Sequence, residues 1–188
     1  MPISITESLS VSGNANFLGG FLIDYESSIE KNQETEKPLS KAPNYFAWLN
    51  IASEQVFYRI REMIYINTER HEVFDSSYKS LLDHILDNHK PAPDQWESIL
   101  LFAKIRHLMV HKGFPNPHAA PSENSRDIAK NYPFTPDEVK SLAEYLQSPK
   151  CYPTLHEQHQ NALRAIDSFE KEFVHDFGFM QISKGTNN

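Results

Sequence analysis

The amino-acid sequence predicts an all-α protein, an up-and-down bundle of four to five long helices with an N-terminal helical arm. Only six of the 188 residues are glycine, and three of them lie in the first 20 positions, so turns that need a positive φ are scarce afterwards. In the long periodic segments, apolar residues recur at intervals of three and four rather than alternating, which is the period of a helix.

The first element is a short helix predicted over residues 16–29, although Gly19 and Gly20 lower its helix propensity. The polar stretch over residues 30–42 is expected to be a solvated linker. The clearest helix covers residues 44–68, where one apolar stripe predicts a buried face. The stripe consists of Tyr45, Trp48, Leu49, Ala52, Val56, Ile60 and Ile64.

Sequence signals for helix ends delimit the later elements. A second helix over residues 71–88 is followed by two prolines, and a third begins with a capping box from Asp94 to Glu97 and stops at Gly113. Two further boxes, beginning at Thr135 and Thr154, open helices that end near residues 147 and 176. The arm and linker thus occupy residues 1–42, and the bundle occupies residues 43–188 with a proline-rich loop at 112–134, all in one domain.

Charge and composition exclude several functions. The chain has 18 basic and 25 acidic residues, for a formal net charge of −7, which argues against a broad basic face for duplex DNA. The single cysteine, Cys151, cannot form an internal disulfide, and the first ten residues lack the features of a signal peptide. No segment is apolar enough to span a membrane. We therefore expect a cytoplasmic protein without membrane contact.

Two histidines on the third long helix stand out. His107 and His111 are four residues apart, which places both imidazoles on one helix face, as a catalytic or metal-binding pair requires. Arg106 precedes His111 by five residues, about 140° around a regular helix, so the two side chains diverge. They would converge on one phosphate if the last turn unwinds before Gly113, or if a second subunit supplies its own copy.

This segment resembles the signature of the HEPN superfamily (higher eukaryotes and prokaryotes nucleotide-binding). The ribonucleases of that all-α group carry an arginine, four to six further residues and then a histidine, often with a polar residue directly after the arginine. Here Arg106 is followed by the polar His107, three apolar residues and His111. The resemblance covers about residues 44–176 in architecture, and six residues carry it in sequence.

The resemblance implies a metal-independent endoribonuclease that acts on single-stranded RNA as a homodimer and needs no cofactor. Attack of a 2′-hydroxyl on the adjacent phosphate requires a base, an acid and a cation. Histidine titrates near neutrality, and a guanidinium binds phosphate oxygens as a bidentate fork. The expected catalytic residues are Arg106, His111 and His107, and Lys112 is a candidate phosphate contact. His107 as a partly exposed helical histidine and Lys112 as a solvated lysine are the simpler readings.

Family resemblance also suggests a role in toxin–antitoxin pairs or antiviral defence, with an antitoxin or regulatory protein as partner. Two other functions remain open. One is a non-catalytic helical interaction or nucleotide-binding module, which the net charge also suits. The other is a metal-binding bundle that uses His107 and His111, although a catalytic zinc site typically needs a third protein ligand. The arginines Arg59, Arg61 and Arg70 are expected to form a solvated face.

Overall fold

A computed structural model describes residues 5–33, 43–115 and 134–176 of the chain. Within these ranges the backbone is helical, with short connections and no β-strand. This confirms the all-α class. The helices are α1 (Ile5–Gln33), α2 (Pro43–Thr68), α3 (Tyr78–Asn88), α4 (Pro93–His111), α5 (Pro136–Tyr145) and α6 (Tyr152–Asp176), with short 3₁₀ turns at His71–Phe74 and Pro149–Cys151.

The first helix, α1, is longer than predicted and packs along α2. It begins at residue 5 rather than 16 and extends to residue 33, into the stretch predicted as a linker, whose remainder at 34–42 lies outside the described residues. A Cβ at Gly19 would lie 3.1 Å from Nε2 of Gln55, so this glycine permits the close approach of the two helices. Leu22 and Ile29 of α1 are buried in the same core as α2.

The core is centred on α2, whose bounds agree with the prediction to within one residue. All seven residues of its predicted stripe are buried. At its centre the Trp48 ring packs edge-on against Phe102 of α4 and Tyr152 of α6. One aromatic side chain therefore holds the three long helices α2, α4 and α6 together.

Side-chain contacts establish the up-and-down order. Asn44 Nδ2 donates to Ser28 Oγ, and Trp48 Nε1, further along α2, donates to the earlier Glu26, so α1 and α2 are antiparallel. Phe46 contacts Phe114 just beyond α4, whereas the later Glu54 contacts the earlier Arg106, so α2 and α4 are also antiparallel. The side chains of α4 that lie beside the middle of α2 therefore come from its last turns.

The predicted second helix over residues 71–88 is wrong at its start. The structure divides it into the 3₁₀ turn His71–Phe74 and α3, which begins at Tyr78. Ser76 Oγ donates to the carbonyl oxygen of Glu72, and Ser77 Oγ accepts from the Ser80 amide as the cap of α3. These hydroxyl groups hydrogen-bond to the local backbone and so interrupt the helix.

Two of the three predicted capping boxes are also wrong. The N-cap of α4 is Ala92, two residues before the predicted cap Asp94. Gln95 rather than Glu97 reaches back, and its side chain accepts from the Ala92 amide at 3.1 Å. The 3₁₀ turn Pro149–Cys151 leads directly into α6, so Thr154 lies inside the helix. The box of Thr135 and Glu138 is confirmed, because each side chain accepts from the other residue's amide.

The end of α4 follows the prediction. Gly113 has a positive φ of 67°, which reverses the chain at no steric cost. The amide of Phe114 donates to the carbonyl oxygen of Leu108 at 3.2 Å and completes the stop. The helix is regular through His111, and most of the proline-rich loop, residues 116–133, lies outside the described residues. Among the helices described, none is both long and apolar enough to cross a bilayer.

One buried histidine in the core has no polar environment. His159 of α6 is 1% exposed and lies against the rings of Trp48 and Phe102. Within the described ranges neither ring nitrogen has a hydrogen-bond partner. Burial, with a smaller effect of His156, lowers the pKa of His159 to about 4. The folded protein therefore holds this imidazole neutral at physiological pH.

Replacing this imidazole should alter acid stability. The pKa of His159 is lower in the folded protein than in the unfolded chain, so below about pH 6.5 the unfolded chain binds a proton that the folded protein does not. The free energy of unfolding is therefore highest above about pH 6.5, and this contribution of His159 is lost as the pH falls towards about 4. We expect His159→Leu to raise the free energy of unfolding at about pH 5 by about 2 kcal/mol relative to wild type, measured by urea denaturation. The exposed His71→Leu is the control, and an unchanged acid slope in His159→Leu would contradict the assignment.

Candidate functional site

Arg106 is held against α2 by an ion pair and an aromatic ring. Its Nε donates to Glu54 Oε1 at 2.9 Å, and 17% of its side chain is exposed. The guanidinium carbon lies 3.9 Å from the ring centroid of Phe57 and 5.8 Å from that of Tyr78. The ring faces and the carboxylate together fix both the position and the plane of the guanidinium.

The outer edge of this guanidinium is available to a ligand. Arg106 makes no hydrogen bond other than that to Glu54 within the part of the chain that the structure describes. Because Nε donates to Glu54, the two terminal nitrogens remain as donors for a ligand. Their parallel N–H groups can bind two oxygens of one phosphate. Arg106 is thus oriented in advance for an oxyanion.

The two histidines lie together, as their spacing predicts. The ring centroids of His107 and His111 are 5.3 Å apart, and the planes are inclined by 48°. His107 also faces the ring of Phe134, just before α5. Both side chains are buried, with 3% of His107 and 8% of His111 exposed. The simpler reading of His107 as a partly exposed histidine is therefore wrong.

Burial also decides the charge of this pair. It is the main cause that lowers the pKa of His107 to about 4, with smaller effects of His111 and Lys112. Burial likewise lowers the pKa of His111, and the positive charges of Arg106 and Lys112 lower it further. Both imidazoles are therefore neutral near pH 7, so His111 can accept a proton.

Arg106 and His111 do not converge within one chain. The helix does not unwind before Gly113, so the angular separation expected for a regular helix is retained. Arg106 contacts Phe57 of α2, whereas His107 faces Phe134 and His111 lies beside His107. Lys112 is exposed at the C-terminal cap of α4. The unwound last turn, one of the two routes to a shared phosphate, is therefore not observed.

A metal site at the histidine pair would need a further ligand. A catalytic zinc ion typically takes three protein ligands and keeps one open position. In residues 5–33, 43–115 and 134–176, no group of three or more histidine, cysteine, aspartate or glutamate side chains is placed to hold a metal ion. The two imidazoles supply two of the three ligands that such a site requires.

Arg61 of α2, which the sequence predicts on a solvated face, belongs to the Arg106 site. Arg61 follows Glu54 by seven residues, about two helical turns, and places its guanidinium carbon 4.1 Å from the Phe57 centroid. The residues Glu54, Phe57 and Arg61 are spaced by three and four, so helical periodicity could have revealed their common face. The expectation for Arg59 is also wrong, because it pairs with Glu62 and Asp167.

Comparisons with protein-family models, curated proteins and solved structures find no match to this chain. The chemistry of the site is therefore inferred from its own side chains.

The buried pair should titrate in an unusual range. In a histidine-resolved NMR titration, we expect His107 to titrate near pH 4 and His111 below the usual range, because both are buried. Arg106→Gln should raise the pKa of His111 by removing a nearby positive charge. Arg164→Gln is the control, at an exposed arginine whose hydrogen bond within the described residues goes to Asn161. An ordinary titration midpoint for His107 would show that it is not buried.

Proposed function

We propose that this protein is a HEPN-type, metal-independent endoribonuclease that cleaves single-stranded RNA and acts as a homodimer. The observation that carries the proposal is the geometry of Arg106. Glu54 and Phe57 orient its guanidinium and leave the terminal nitrogens for a phosphate. A guanidinium stays protonated at any physiological pH, so it supplies the positive charge that a phosphorane-like transition state needs.

The neutral imidazole of His111 provides the base. It takes the proton of the 2′-hydroxyl, the 2′-oxygen attacks the adjacent phosphorus, and the bond from phosphorus to the 5′-oxygen breaks. The imidazolium that this transfer forms then gives the proton to the leaving 5′-oxygen, so His111 is neutral before and after the reaction. The products are a 2′,3′-cyclic phosphate and a 5′-hydroxyl end, and the reaction consumes no water or metal ion.

A second copy is required because Arg106 and His111 face different sides of α4. Two copies that meet along α4 would bring the arginine of one to the histidine of the other. We place Val110 at this contact, since it follows Arg106 by one turn and 47% of it is exposed. In such a dimer, cleavage depends on association.

The remaining predicted residues take supporting roles in this proposal. His107, buried beside His111, positions the imidazole rather than contacting RNA. Lys112 is exposed and adds a positive charge near the phosphate. The HEPN resemblance favours a cytoplasmic toxin or antiviral defence effector, restrained by an antitoxin or regulatory protein.

A second candidate is a non-catalytic interaction or nucleotide-binding module. The burial of His107 and His111 favours it, because a buried imidazole contributes to packing without reacting. In that case Arg106 would still bind an anionic partner through its outer edge. The two functions differ in whether RNA is cleaved.

Cleavage in excess chelator separates these functions. We expect wild-type protein to cut single-stranded RNA in EDTA and to leave 2′,3′-cyclic phosphate ends, detected by mass spectrometry. His111→Ala should reduce the rate by about 10²–10⁴-fold and Arg106→Ala by about 10²–10³-fold, as circular dichroism confirms that both variants fold. Arg164→Ala is the control. Full activity in His111→Ala would refute the catalytic role, and an absence of any cleavage would favour the binding module.

Association should depend on the exposed apolar residue of α4. We expect Val110→Asp to shift the protein from dimer to monomer in sedimentation equilibrium and to abolish RNA cleavage, because the proposed contact would then bury an unpaired carboxylate. The control is Ile23→Asp, at another exposed apolar residue, on α1. A wild-type chain that stays monomeric at high concentration would contradict the homodimer.

A further inference from the structure

Two guanidinium groups share one aromatic ring beside α4. The guanidinium carbons of Arg61 and Arg106 lie 4.1 Å and 3.9 Å from the centroid of Phe57. These distances limit the separation of the two carbons to about 8 Å. That separation is short enough for both side chains to contact a single phosphate group.

The positive charge of this pair is only partly neutralised. Glu54 pairs with Arg106, whereas the hydrogen bond of Arg61 goes to an uncharged acceptor, the carbonyl oxygen of Ser76, at 3.1 Å. The buried Nε of Arg61 has no hydrogen-bond partner in the described ranges. Burial lowers the pKa of Arg61, and the neighbouring Arg106 lowers it further. The nearby carboxylates of Glu54 and Asp75 act in the opposite direction and raise this pKa, but neither forms an ion pair with Arg61 in the described residues.

Helix α2 contains a contrasting arginine two residues away. Arg59 is paired with two carboxylates, those of Glu62 and Asp167, so its charge is fully compensated. Such pairing is what a purely structural arginine in a half-buried position requires. A second guanidinium on one ring gains cation–π attraction but adds repulsion from the first, and a bound anion would remove that repulsion.

We propose that Arg61 and Arg106, both in contact with the ring of Phe57, bind the same backbone phosphate of single-stranded RNA. Arg106 contributes its two terminal nitrogens, and Arg61 contributes the terminal nitrogen that Ser76 does not occupy. Arg61 is thus a second phosphate-binding residue. The identity of the ligand as RNA rests on the function proposed above, whereas the phosphate site rests on the paired guanidiniums alone.

The test uses an RNA that cannot be cleaved by 2′-hydroxyl attack. A short fluorescein-labelled 2′-O-methyl RNA is titrated with the full chain, and binding is followed by fluorescence anisotropy over a series of salt concentrations. Arg61→Gln should weaken binding by about 10-fold and reduce the slope of log K against log salt by about 0.7, the value for one phosphate contact on a single strand. Arg164→Gln removes the same charge from an exposed site and should leave the slope unchanged.

A second variant separates charge from geometry and guards against misfolding. Arg61→Lys retains the charge but lacks the planar fork, so it should bind more weakly than wild type with nearly the same thermal melting curve. The inference is overturned if Arg61→Gln binds as tightly as Arg164→Gln, or if the wild-type chain does not bind the analogue even at low salt. It stands if Arg61→Gln loses affinity although wild-type protein cleaves no RNA, an outcome that would instead refute the nuclease.

Discussion

The contact between Arg106 on α4 and the Glu54–Phe57 face of α2 is the constraint on which the rest of the site depends. The ion pair occupies Nε, and the aromatic ring fixes the guanidinium plane, so the arginine reaches the surface in one orientation. The packing of Trp48 between α4 and α6 sets the position of the two helices that make this contact. The hydrophobic core thereby determines the geometry of a charged group at its edge.

The two sides of α4 differ in charge. On the side facing α2, two arginines contact a single ring, where we propose that a phosphate binds. On the side facing α5, His107 and His111 are buried and neutral, and Lys104 pairs with Glu138 across the helix interface. Because the charged and the neutral side diverge around a regular helix, the proposed chemistry requires two chains, whereas phosphate binding by the two arginines requires only one.

Local signals were reliable where one residue decides the local structure, and unreliable where several compete. Gly113 ends α4 because a residue at positive φ cannot continue a helix. The start of α4 could not be placed in the same way, because Gln95 and Glu97 both offer an acceptor near it, and Gln95 is the one that accepts from the Ala92 amide. Polarity alone predicts that Arg61 of α2 is solvated, whereas in the structure its guanidinium lies over the ring of Phe57.

By itself the sequence determined the helical class, the extent and buried stripe of α2, and the adjacency of the two imidazoles. These follow from periodicity and spacing along one chain, which act over a few residues. Only the tertiary structure decided that His107 and His111 are buried, that Glu54 holds Arg106, and that Arg61 joins it. Those properties depend on which faces of α2, α4 and α5 meet, and residues distant in sequence set them.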